Sequence, residues 1–206
     1  MEDLRTLKAL QVDALREVAN IGAGHAATAL SQMIGETIMI TVPTINIAKL
    51  EDVADLLGNS SEVVAAILLH MLGDLTGRTL LVFPEPSAKR LCDLLLARPS
   101  GTTQTFGELE QSGLKEAGNI LSSAYANALS EFMGMMLLLT PPSLAVDMST
   151  AVLSTAYLQF GTDRDYVFCV ESEFLMTGDD EKLHAFFLLL PDPASLQAIL
   201  KAVRVA

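Results

Sequence analysis

The sequence predicts a mixed α/β protein of the α+β type: a tandem pseudo-twofold duplication in which about six strands form a shared sheet with helices packed on it. Three observations predict this fold. The segments LREVANI and LKEAGNI align 99 positions apart, and at the same offset Ala27, Leu30, Ser31 and Gly35 are matched by Ala126, Leu129, Ser130 and Gly134. Each helical stretch gives way to a strand-like segment, β-branched and alternating in Glu36 to Ala48. Each half then closes with an apolar run, a Pro-x-Pro turn (Pro84 and Pro86, Pro191 and Pro193) and a further helical segment. A solenoid needs about three or more repeats to bury a continuous core. Two halves, 8–97 and 108–204, are therefore expected to share one core within a single domain spanning 1–206.

In the first half, apolar residues at helical spacing (Leu7, Leu10, Ala14, Leu15, Val18, Ile21) predict a helix over 8–34. Glu36 to Ala48 reads as a strand that Pro43 interrupts or ends, because proline has no N–H for a ladder. A short helix fits Leu50 to Leu57. Val63 to Met71 and Thr79 to Phe83 are strands joined by a turn containing Gly73, Asp74 and Gly77, and a helix follows Pro86 over Ser87 to Ala97. The second half repeats the order: helix Glu108 to Met133, strand Met135 to Val146, helix Met148 to Leu158, strands Tyr166 to Leu175 and Leu183 to Leu190, helix Ala194 to Val203. On the second long helix, Leu109, Leu114, Ile120 and Leu121 are expected to line the core face.

Half the residues are hydrophobic, enough for a substantial core. The net charge of −12 opposes nucleic-acid backbones and anionic membranes as partners. The longest apolar runs are strand-sized, well short of the roughly 18 residues of a membrane helix, and no basic segment followed by an apolar one opens the chain. A cytoplasmic protein with no membrane insertion and no nucleic-acid partner is expected. Cys92 and Cys169, one per half and without CxxC spacing, read as reduced, buried side chains. His25, His70 and His184 are scattered, so no metal site is expected. Gly22, Gly24 and Ala27 mimic a dinucleotide fingerprint, but inside a helical pattern and not after a strand, so they read as sites of close helix packing or a kink. Met133, Met135 and Met136 are expected in the core.

The repeat also carries chemistry. Asp13, Glu17, Asn20 and Pro43 stand at the spacing [DS]-x3-E-x2-N-x22-P, and Ser112, Glu116, Asn119 and Pro142 repeat it. On a helix, Glu and Asn three apart share a face, with Asp13 or Ser112 one turn earlier on the same stripe. A plain solvent face would drift between diverged copies; here the carboxylate, the amide and a distant proline match. An amide suits work on a phosphoryl group because it is neutral and offers both a donor and an acceptor to hold a water. For Asp13 and Ser112, helix capping or a hydrogen bond to the glutamate is expected.

Two copies of this motif in an acidic chain of about 200 residues resemble the CheC branch of the CheC/CheX/FliY family, phosphatases of the chemotaxis regulator CheY. The resemblance covers nearly the whole chain. It implies that Asn20 and Asn119 are catalytic, positioning the water that attacks the aspartyl phosphate of CheY, and that Glu17 and Glu116 bind a lysine of the regulator. Pro43 and Pro142 are implied as structural positions. Mg²⁺ is expected from the bound CheY, with no cofactor in this chain itself. The receptor deamidase CheD is implied as a second partner at a helix beginning near Asp147, a residue that also reads as an ordinary N-terminal cap. The alternative is a non-catalytic module that binds phosphorylated CheY or acts as a flagellar-switch-like adaptor. A monomer is expected, since the internal pseudo-twofold satisfies an interface a single-motif relative must obtain by dimerising.

Overall fold

The computed structural model describes residues 9–49, 53, 62–160, 166–176 and 182–205. The first half contains α1 (Ala9–Ile34), β1 (Ile38–Ile40), β2 (Thr44–Lys49), β3 (Val63–Gly73), β4 (Gly77–Pro84) and α2 (Glu85–Leu95). The second contains α3 (Glu108–Met133), β5 (Leu137–Leu139), β6 (Ser143–Met148), α4 (Ser149–Phe160), β7 (Tyr166–Met176), β8 (Lys182–Pro191) and α5 (Pro193–Val205). Both long helices have 26 residues and begin and end at matching positions of the repeat.

Among the described residues, eight strands form one antiparallel sheet in the order β1-β7-β8-β4-β3-β5, with β2 also on β7 and β6 also on β3. The halves therefore exchange strands. β1 and β2 of the first half pair with β7 of the second, and β5 and β6 of the second pair with β3 of the first. The registers repeat as well: Ile38 to Ile40 oppose Met176 to Phe174 as Leu137 to Leu139 oppose Gly73 to Met71. At the centre, Leu81 pairs with Phe187, while Leu80 and Val82 face Leu188 and Phe186. The pseudo-twofold axis passes through the Leu81–Phe187 pair.

Eight strands replace the expected six because each edge strand is broken once. β1 leaves β7 at Ile40↔Phe174 and β2 resumes at Thr44↔Glu171, so the edge strand spends one residue more than its partner. This is a β-bulge, and Pro43 occupies it. The Thr41 N–H still donates to the Glu173 carbonyl at 3.0 Å just before the break, as the Thr140 N–H does to the His70 carbonyl at 3.0 Å before Pro142. A bulge with proline also blunts an otherwise open sheet edge.

Helices cover both faces of the sheet. Alternate residues of β3, β4, β7 and β8 (Ala65, Ile67, Leu69, Leu81, Phe83, Val170, Phe174, Phe187) pack with α1, α2 and α3. The intervening ones (Val64, Ala66, Leu80, Val82, Cys169, Phe186, Leu188) pack with Val152 and Leu153 of α4 and with Val53. The physical reason is that the central strands are apolar on both faces, which requires cover on both. The helix expected over Leu50 to Leu57 lies outside the described residues except for Val53, which is helical and fully buried. Cys92 and Cys169 are buried free thiols, as expected, and burial pushes both up to about 12. Met136 and Leu109, expected in the core, are more than half exposed.

Two repeated pairs outside the polar motif join helix to sheet. Gly35 (φ 81°) and Gly134 (φ 60°) end α1 and α3 in the left-handed region that favours glycine. Ser31 Oγ accepts the Ile38 N–H at 2.9 Å, and Ser130 Oγ donates to the Met135 carbonyl at 2.5 Å, so each serine anchors the strand that follows its helix. The two long helices pack directly on each other at Gly22, where a Cβ would lie 2.7 Å from Tyr125 Cδ1. Tyr125 itself stacks on Phe187 (centroids 4.6 Å apart, 15° between planes) and shares a 2.7 Å hydrogen bond with Ser172. Close packing is thus the role of Gly22; Gly24 faces open space.

Candidate functional site

α1 and α3 lie against the sheet through Ala19, Ala23, Ala26 and Leu30 on one helix and Leu114, Ala117, Leu121 and Ala124 on the other. Small residues dominate these stripes, which lets the helices sit low on the strands; at Gly118 a Cβ would lie 2.7 Å from Ile67 Cγ2. Burying one stripe forces the opposite one outward. Asp13, Glu17 and Asn20 are exposed on α1, and on α3 Ser112 and Glu116 are exposed with Asn119 half-buried. Within each copy the structure brings the carboxylate and the amide to one outer helix face, as the spacing predicted.

Among the described residues, Glu17, Asn20, Glu116 and Asn119 have no hydrogen-bond or ion-pair partner. Pro43 is buried and Pro142 half-buried at the edge-strand bulges.

Asp13 does not cap its helix and is not bonded to Glu17. It is the fifth residue of α1, and its Oδ1 takes Arg16 Nη1 at 3.0 Å. Ser112 is the fifth residue of α3, whose N-cap is Gly107, so it does not cap either. The reason is the same for both: each helix starts a full turn earlier than the motif. Arg16 and Lys115, one turn before the two asparagines, went unremarked in the sequence, although the pairs Arg16-Glu17 and Lys115-Glu116 repeat at the same offset.

Asp147 belongs to β6, opposite Val64, and its Oδ1 accepts the Met148 N–H at 2.7 Å. α4 starts at Ser149, so Asp147 is not the cap of that helix. It sits instead on a cavity of about 220 Å³ between β6 and α4, with Ser143, Ala145, Ala151 and Thr155 among its lining residues. A second cavity, about 50 Å³ under α1, is lined by apolar side chains and Tyr125 and has no group able to act on a phosphoryl ester. Among the described residues no group of three or more His, Cys, Asp or Glu side chains is placed to hold a metal ion, and no helix is long and apolar enough to cross a membrane.

The two polar stripes stand on convex helix surfaces. Such a surface cannot enclose a small molecule, but it can enter the cleft of another protein. The sequence pattern of the CheC-like family matches residues 10–47 and 109–146, each match running from a long helix through the bulged edge strand after it. Over 199 residues the chain is 31% identical to CheY-P phosphatase CheC of Bacillus subtilis (strain 168), covering 96% of this chain and 95% of that protein. The chain belongs to the CheC-like family. This CheC-like chain is also 27% identical over 137 residues to the flagellar motor switch phosphatase FliY of Bacillus subtilis (strain 168), across 66% of this chain and 35% of that one. Its fold matches the crystal structure of Thermotoga maritima FliY with a TM-score of 0.80 at 23% identity, over 97% of this chain and 98% of that chain.

Proposed function

We propose that this CheC-like protein is a phosphatase for the aspartyl phosphate of CheY, with Asn20 and Asn119 as the water-positioning residues of two sites. The observation that carries this reading is the pair of Glu/Asn stripes on the outer faces of two repeat-related helices, without partners among the described residues. The family relationship supplies the substrate class.

The chemistry asks little of this chain beyond position and charge. Hydrolysis of an acyl phosphate needs a water in line with the phosphorus and stabilisation of charge on the transferred group. The Mg²⁺ held by the regulator supplies the charge neutralisation. A neutral amide reaches the phosphoryl group without repulsion, accepts a hydrogen bond from the water through its oxygen and keeps its N–H₂ to donate to a phosphoryl oxygen. A carboxylate there would be repelled. Glu17 and Glu116 pair with a lysine of the regulator and seat the amide; an exposed pair contributes about 0–1 kcal/mol, more once docking excludes water. CheD is the second partner in this reading, with the cavity between β6 and α4 beside Asp147 as its docking place, and the chain acts as a monomer.

The test is phosphate release from a phosphorylated CheY-type receiver in Mg²⁺ by wild type, Asn20→Ala, Asn119→Ala and the double variant. Removing one positioned polar group is expected to cost its site about 10² to 10³ in rate. The double variant is expected to leave only the receiver's own decay, and full activity in it would sink the mechanism. Binding to the phosphorylated receiver without faster decay would favour the adaptor reading. For CheD, retention of the tagged partner on immobilised chain, weakened by Asp147→Lys, is the expected result.

A further inference from the structure

Arg16 and Lys115 stand one turn before Asn20 and Asn119, at the i, i+4 spacing that places two side chains side by side on a helix. Each amide thus has a cation next to it, and the two cations differ in their surroundings. In the first copy the Asp13 carboxylate holds Arg16 at 3.0 Å, both side chains more than half exposed. In the second copy Ser112 stands where Asp13 would, and Lys115 has no ion-pair partner among the described residues. The charges on the first stripe (Asp13, Arg16, Glu17) therefore sum to one negative, while those on the second (Lys115, Glu116) cancel.

We propose that the residue at the Asp13/Ser112 position makes the two sites electrostatically unequal, leaving Lys115 as a cation for the phosphoryl group at the second site while Asp13 withholds Arg16 from that role at the first. The inference rests on the phosphatase reading above. Once a lysine of the receiver neutralises Glu17 or Glu116, the first stripe is neutral and the second keeps one positive charge a turn away from the amide. The transferred phosphoryl group is anionic throughout the reaction, and a nearby cation both attracts the phosphorylated receiver and stabilises that charge. Lys115 acts through its charge, and Asp13 and Ser112 are positioning residues that set how much cationic charge the stripe retains. Lys115 is half-buried but still reaches solvent, so its attraction for the phosphoryl group is screened by salt and the second site is the more salt-sensitive of the two.

The experiment reads one site at a time: Asn119→Ala isolates the first, and Asn20→Ala isolates the second. In the second-site background, Lys115→Met and Ser112→Asp are each expected to lower kcat/KM about three-fold or more and to flatten its decline between low and high salt, while Lys115→Arg retains both. In the first-site background, Asp13→Ser is expected to raise kcat/KM about three-fold and to steepen the salt dependence. Unchanged rate and salt slope for Lys115→Met, at a site that Asn119→Ala still silences, would overturn this proposal and leave the phosphatase reading standing. No acceleration by the wild-type chain would overturn both.

Discussion

At the scale of single residues, two glycines two positions apart carry opposite expectations. Gly22→Ala would place a methyl group 2.7 Å from the ring and 3.1 Å from the Cα of Tyr125, which is buried and stacked and has nowhere to go. The helix-propensity gain of about 1 kcal/mol is outweighed by an overpacking cost of about 1–3 kcal/mol. Gly24→Ala meets open space and keeps only the gain. Urea midpoints are expected to fall for the first and rise for the second; the same sign for both would refute the packing assignment. The sequence marked both glycines but could not separate them, because what distinguishes them is a tyrosine a hundred residues away. No such limit applies to Arg16 and Lys115: Asp13 and Arg16 are three residues apart on one helix, a pairing that local spacing already allows.

At the scale of elements, the link between the halves is held by a buried carboxylate. Asp93 on α2, only 1% exposed, accepts the N–H of Thr103 at 2.8 Å and of Thr102 at 3.1 Å, and Arg98 pairs with Glu110 on α3 at 2.6 Å. Between them the chain leaves α2 through Ala97, a non-glycine at φ 50°. The sequence carried that helix on to Ala97; it ends at Leu95 because the last turn closes with the Arg98 N–H donating to the Asp93 carbonyl at 2.8 Å. Asp93→Ala is expected to cost about 2–3 kcal/mol by orphaning buried donors, and Ala97→Gly to add about 0.5–1 kcal/mol by relieving the left-handed backbone, both read from urea unfolding. Tyr125→Phe keeps the stack on Phe187 but strands the Ser172 hydroxyl, an expected loss of about 1–2 kcal/mol.

At the scale of the whole molecule, strand exchange makes the halves interdependent. Residues 1–104 alone would expose the β4 edge that β8 covers and the β3 edge that β5 and β6 cover. Its expected state is an unfolded chain or a homodimer that rebuilds the missing half, and a folded monomer by light scattering and circular dichroism would contradict the topology. Acid stability follows from three carboxylates. Burial works against ionisation of Asp93, yet donors from the 101–103 loop outweigh it and hold its carboxyl below the usual range. Hydrogen bonds from Arg98 and Lys182 lower Glu110 and Glu173 likewise. Groups lowered on folding stabilise fully above their unfolded values, about 3.9 for Asp and 4.3 for Glu, and lose that contribution as pH falls through the folded values. The urea midpoint is therefore expected to fall steeply below about pH 4, and less steeply in Asp93→Asn.

By itself the sequence determined the duplication, the two long helices, the order of strands and the Glu/Asn stripes, because all of these are written in local periodicity and in spacings that recur within one chain. It also placed Pro43 where a strand is interrupted or ends, since a missing N–H is a local property, but ran the equivalent strand unbroken through Pro142. Only the tertiary structure decided that the halves exchange edge strands, that both edge strands break at bulges, that Asp147 lies in a strand beside a cavity, and that helices cover both faces. Each of these depends on which distant segments meet, and that is set by the summed burial of two apolar sheet faces around one axis, a quantity that no window along the chain contains.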